Sequence, residues 1–179
     1  MTLVRTASTP LAALGMLALA AGLIVGCSPA PKPTPTLTAA FASEEEAFAA
    51  AEETYRAYLH ASAARADGDE AADPEAYLSG SALESDIQTQ RELTAAGLKI
   101  VGASTVHDFL GLVARFDAKV AEVTAEVCVD ISNSRVIDES GSDVTPTTRP
   151  ERGKLEVVFS GDNDQLLISK TASAEISAC

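Results

Sequence analysis

The sequence predicts an α+β domain, and three observations carry that prediction. Between Ser43 and Gly97 apolar residues recur every three or four positions, the period of an amphipathic helix. From Ala121 onward they alternate in steps of two, the period of a strand with one buried face. Helices first and strands afterwards place the helices on one face of an antiparallel sheet.

In chain order, the first element is an export segment. Residues 11–26 (LAALGMLALAAGLIVG) carry no charge, and of the 13 Lys and Arg only Arg5 precedes Cys27. A short basic start, an apolar run of about 15 residues and a small residue before the cleavage point make a secretory signal. The run is shorter than the roughly 18–20 apolar residues of a spanning helix. Ile24-Val25-Gly26-Cys27 resembles the lipobox of bacterial lipoproteins. That resemblance implies a diacylglyceryl group on Cys27, removal of residues 1–26 and attachment to the outer face of the cell membrane. Two acyl chains hold a protein stably where one does not. No other cofactor is expected.

The mature chain would hold 12 basic and 26 acidic side chains, a net charge of −14. Phosphate binding needs clustered Lys and Arg, so nucleic acid is excluded as a partner. Attraction to anionic headgroups is excluded for the same reason, which is why a covalent anchor is needed. Eight aromatics and no Trp leave no stacking platform for sugars or bases.

Residues 27–42 read as a tether, with Pro29, Pro31, Pro33 and Pro35 one residue apart. Such a stretch is extended and polyproline-like, and its reach is about 40 Å. The α+β domain is expected over 43–179. Ser43-Glu44-Glu45-Glu46 is a capping box opening a helix over 44–64. Phe48, Ala51, Tyr55, Tyr58, Leu59 and Ser62 share its apolar face. Asp73-Pro74 starts a short helix over Glu75–Leu78. A third helix carries Leu83, Ile87 and Leu93 and stops at Gly97. Leu98–Phe116 loses the helical period, and Gly102 and Gly111 suggest bulges or a bent strand. Ala121–Ile131 is a strand of strict alternation, and Ser134–Asp138 a shorter one. A polar loop over 139–153 follows. Leu155–Phe159 and Leu166–Ile176 form a hairpin turning at Asp162-Asn163-Asp164.

After lipidation of Cys27, Cys128 and Cys179 remain. Export places them where disulfides persist, and Cys128 falls on the polar face of its strand. A bond between them would clip the C-terminus to the sheet, a loop of about 50 residues worth roughly 4 kcal/mol in the chain-entropy model. Two His leave no zinc set. The acidic turns Asp67–Glu70 and Asp162–Asp164 lack the spacing of a calcium loop.

The stretches AEETYRAYLHA (51–61), DPEAYLSGSALESD (73–86), ELTAAGLKIVGASTVHDF (92–109) and VTAEVCVDISNSRVIDESG (123–141) carry a further resemblance. They look like secreted proteins and lipoproteins of high-GC Gram-positive bacteria with a nuclear-transport-factor-2-like (SnoaL-like, cystatin-like cone) domain. That resemblance implies N-terminal helices on a strongly bent, cone-like sheet, and pairing of two copies through the open sheet face. Some members are isomerases, cyclases or dehydratases; many are binding or assembly modules. Catalysis of the ketosteroid-isomerase type needs a carboxylate and a donor such as Tyr in an apolar pocket. Tyr55, Tyr58, His107 and Asp108 are the possible pocket residues here. The alternative is that both Tyr pack the helix on the sheet with their hydroxyls at the rim, and that His107 and Asp108 sit in an exposed strand or bulge. No catalytic residue is assigned. The expected function is a non-enzymatic binder of a small apolar ligand or an envelope partner protein, with a small pocket enzyme as the alternative.

Overall fold

The computed structural model describes residues 40–117, 119–161, 165–173 and 179. The export segment, Cys27, the Pro-rich stretch, the turn at Asp162–Asp164 and the end of the last strand, with Ala174 and Ile176, lie outside the described residues.

Helix α1 spans Glu44–Ala66. Ser43 is extended, and its hydroxyl accepts the Glu46 backbone N–H at 3.3 Å. The Glu46 carboxylate reaches back to the Ala42 N–H at 2.7 Å, so two orphan donors at the helix start are satisfied. Glu44, Glu45 and Glu46 face the positive end of the dipole and Arg65 the negative end. Folded chain begins earlier than the tether boundary at residue 42. The Ala40 N–H donates to the Asp117 carbonyl at 2.9 Å, and the Phe41 ring meets Phe116 edge-on at 5.9 Å. An aromatic ring gains more from that contact than an extended spacer would keep.

Pro74–Tyr77 is a single 3₁₀ turn rather than an α-helix, with Asp73 capping the Ala76 N–H at 3.2 Å. Helix α2 spans Gly80–Ala95. It ends at Gly97, whose φ of +65° is the left-handed conformation a helix terminator adopts at least cost.

Six strands follow: β1 Leu98–Val101, β2 Thr105–Phe116, β3 Ala121–Asp130, β4 Arg135–Asp138, β5 Arg152–Gly161 and β6 Leu166–Ser173. They form two antiparallel sheets, a pair β1-β4 and a four-stranded sheet in the order β2-β3-β5-β6. The break between the sheets falls at Gly102, with φ +80°, where a Cβ would lie 2.2 Å from the Asn133 carbonyl oxygen. Only glycine fits there. The stretch Leu98–Phe116 therefore supplies strands to both sheets. Within β2 the register shifts between Val106 and Asp108 and between Gly111 and Val113. Such bulges bend the strand.

The core lies between α1 and the four-stranded sheet. Val123, Val127, Val157, Phe159 and Ile168 are fully buried, along with Ala47 and Ala51 from the helix. Tyr55 meets Phe159 edge-on at 6.4 Å. Helix α2 is tied down at its start, where the Ser79 N–H donates to the Ile168 carbonyl at 2.8 Å. The fold is α+β, with helices against one face of a curved antiparallel sheet.

Two expected outcomes follow from this packing. A Cβ on Gly111 would lie 2.4 Å from the Phe48 ring. Gly111→Val should lower stability by about 1–3 kcal/mol in denaturant titration, and Phe48→Leu in the same chain should restore part of the loss. The second concerns acid. The hydroxyl of Ser140 and the backbone N–H of Ser142 hold the Asp138 carboxylate below the usual aspartate range. Asp130, bonded by the Ser132 hydroxyl and N–H, is lowered too. A lowered native pKa adds stability above the unfolded-state value and loses it as pH falls through the native value. The unfolding midpoint should not respond to these groups down to about pH 5 and should fall below about pH 4. Asp138→Asn should shrink that fall.

Candidate functional site

The site begins where the core ends along α1. Tyr55, 3% exposed, belongs to the core, and burial first, then the neighbouring Tyr58, pushes its phenol far above the ordinary value. Tyr58 lies almost one turn later and only partly inside. Its hydroxyl donates to Asp86 Oδ1 at 3.4 Å. Asp86 comes from α2, and its side chain is only 11% exposed. It also accepts from Arg65, with Nη1 at 3.3 Å and Nη2 at 3.3 and 3.4 Å from its oxygens. Arg65 in turn faces Glu75 at 3.6 Å. Burial is the larger cause that raises the Tyr58 pKa, and the Asp86 charge adds to it. The Ser62 hydroxyl and the Arg65 charge pull the other way. Ser62 Oγ itself is enclosed and makes no hydrogen bond of ordinary geometry.

Beside this cluster lies a cavity of about 600 Å³. Its apolar wall includes Leu59 of α1, Ala82 and Leu93 of α2, Ile100 of β1 and Ile168 of β6. From the apolar residues of α2, Ala82 and Leu93 reach this space, while Leu83 packs against the core. Ala82 is the one fully buried residue of that helix, while Leu83, Ile87 and Leu93 stay half-buried. Three cations, Arg65, Lys99 and Arg149, line the cavity together with one carboxylate, Asp86.

The four pocket residues read from the sequence do not come together. Tyr58 lines the cavity, whereas Tyr55 packs behind it in the core. His107 and Asp108 are exposed and sit at the first bulge of β2. Asp108 pairs across strands with Cys128, which alternates with the buried Val127 and Val129, so both side chains are on the outer face of the sheet. There His107 and Asp108 border a smaller hollow of about 330 Å³ with Glu126, Lys154, Cys128 and Cys179. Glu126 and Lys154 pair at 2.7 Å. A disulfide joins Cys128 to Cys179, with the sulfurs 2.02 Å apart. Among the described residues no three His, Cys, Asp or Glu side chains converge as metal ligands, and no helix is long and apolar enough to cross a membrane.

Asp86, Arg65 and Arg149 were missed in the sequence. Spacing held part of the signal: Arg65 is seven residues after Tyr58 and Asp86 four after Ala82, each on the same helix face as its partner. Nothing in the linear sequence joins Arg149 to them.

The Tyr58–Asp86 contact has a spectroscopic consequence. Tyr58 is one of three tyrosines, and ultraviolet absorbance follows phenol ionisation. Asp86→Asn should move one transition to lower pH, because the carboxylate charge no longer opposes the phenolate. The transition should stay above the ordinary value, since burial persists. An unmoved titration would show that the charge of Asp86 does not reach Tyr58.

No family model matches this chain and no curated protein matches its sequence, so its functional reading rests on the geometry just described.

Proposed function

We propose that this chain is an extracytoplasmic lipoprotein whose domain binds a small, largely apolar ligand without chemical conversion. A diacylglycerol on Cys27 would hold it on the outer face of the cell membrane, with the Pro-rich stretch as spacer. The single observation that carries the binding reading is the cavity of about 600 Å³ between α1, α2 and β1. Ligand sites of proteins run from about 300 to 1,000 Å³, with apolar walls and a few polar groups. The succession of helices and then curved antiparallel strands is also what the nuclear-transport-factor-2-like resemblance implies, and we keep that class as part of the proposal.

One observation favours the second reading, a pocket enzyme. Tyr58 and the little-exposed carboxylate of Asp86 meet at the cavity wall. Their environment supports the binding role better. Burial keeps the Tyr58 phenol protonated, a donor rather than a base. Arg65 sits on Asp86 and occupies the lone pairs a base would use. His107 and Asp108 face away and offer no proton relay.

Three measurements test this reading. Leu93→Trp, which places bulk in the cavity from a half-buried position, should weaken binding of the neutral apolar dye Nile red without lowering the unfolding midpoint. A small molecule eluted after incubation with the protein should be recovered unchanged; conversion that stops in Asp86→Asn would favour the enzyme. Cys27→Ser should release the protein from membranes or leave the precursor uncut, and unchanged fractionation would count against the anchor.

A further inference from the structure

We propose that the ligand of this cavity is an amphiphile with one anionic head, an oxyanion held by Arg149 with Lys99 nearby, and an apolar body lying on Leu59, Leu93 and Ile168. This rests on the binding role proposed above and adds the charge of the ligand to it.

Charge distribution is the first support. Over the whole chain acids outnumber bases two to one, 26 to 13. Around the cavity the ratio inverts, with Arg65, Lys99 and Arg149 against Asp86 alone. Arg65 is already neutralised, since it sits on Asp86 at 3.3 Å and near Glu75 at 3.6 Å. The surplus is therefore Lys99 and Arg149, and neither makes an ion pair among the described residues.

Arg149 is the better placed of the two. It is half-buried, and its Nη2 donates to the carbonyls of Ile131 at 3.0 Å and Ser134 at 2.7 Å. Those carbonyls orient the guanidinium but do not neutralise it. Asp143 is the acid whose carboxyl feels the Arg149 charge, and it pairs with Arg135 at 3.6 Å instead. A guanidinium carries five N–H donors in a planar fork. With one nitrogen engaged by two carbonyls, donors on Nε and Nη1 remain for an incoming oxyanion. A half-buried cation without a counter-ion at the wall of an apolar cavity favours a ligand that brings the missing charge. The strongly acidic exterior repels anions in general, so only a head group that reaches this spot gains from it.

The test uses the full chain carrying Cys27→Ser, so that no acyl chain of its own competes, with dodecanoate and dodecanol as probes in calorimetry. Dodecanoate should bind about tenfold more tightly than dodecanol. Added salt should narrow the gap. Arg149→Gln should abolish the preference by weakening dodecanoate far more than dodecanol. Because Arg149 also fixes two carbonyls, Lys99→Gln, at an exposed position, serves as the second variant and should reduce the preference in part. Equal binding of the two probes, or tighter binding of dodecanol, overturns the anionic head and leaves the apolar binding role standing. If neither probe binds, both readings fall.

Discussion

Close contact between α1 and the four-stranded sheet is the constraint on which the rest of the structure depends. Ala47 and Ala51 on the helix and Ala121 and Ala125 on β3 have no exposed surface at all. Small side chains on both sides of a seam let helix and sheet approach closely and exclude water. Gly111 continues this pattern by leaving room for the Phe48 ring. At Tyr55 the seam ends in the aromatic contact with Phe159. One turn later Tyr58 already faces open space. Core and cavity are thus successive levels of one helix, and the side-chain size at Ala51, Tyr55 and Tyr58 sets where one gives way to the other. Helix α2 is fastened at its start to β6 and by Ala82, and further along it Leu93 forms part of the cavity wall.

Electrostatics adds a second layer. The chain is strongly acidic, yet in the cavity lining cations outnumber acids. Asp86 is matched there by Arg65 and Tyr58, which keeps a little-exposed carboxylate from becoming a destabilising orphan. On the outer face of the sheet, Asp130 with Arg152, Glu122 with Arg115 and Glu126 with Lys154 pair across strands at 2.7–3.4 Å. The most exposed of these pairs, Arg115 with Glu122, contributes little stability, and all three leave part of each side chain in solvent. The charges that pair across strands lie on the outer face, whereas the surplus cations line the cavity.

Much of the fold was legible in the sequence because it rests on local rules. The capping box at Ser43 fixed the start of α1, and the alternation of Val123, Val127 and Val129 fixed the buried face of β3. Gly97 marked the end of α2. The legible part stops where an element meets something distant. Gly102 reads as a bulge or a bend in the sequence because its role depends on the Asn133 carbonyl thirty-one residues later, which makes it a break between sheets. Only the ketosteroid-isomerase-type resemblance groups His107 and Asp108 with the tyrosines; the bulge there sets which face they take, and strand alternation across a bulge cannot be counted from the sequence. The cavity was illegible for a related reason. Leu83, Ile87 and Leu93 recur at helical spacing, but that period does not show that Leu83 meets the core while Leu93 meets open space. Arg149 lies in a polar loop whose path only the folded chain defines.

The central claim is that the space between α1 and α2 is a ligand site rather than a packing defect. Nuclear Overhauser contacts between a bound apolar probe such as dodecanol and methyl groups of the full chain test this most directly. Contacts to Leu59, Ala82, Leu93 and Ile168 are the expected result. Contacts confined to Leu110 and Val113, which are exposed on β2, would place apolar binding on the outside of the sheet and contradict the account.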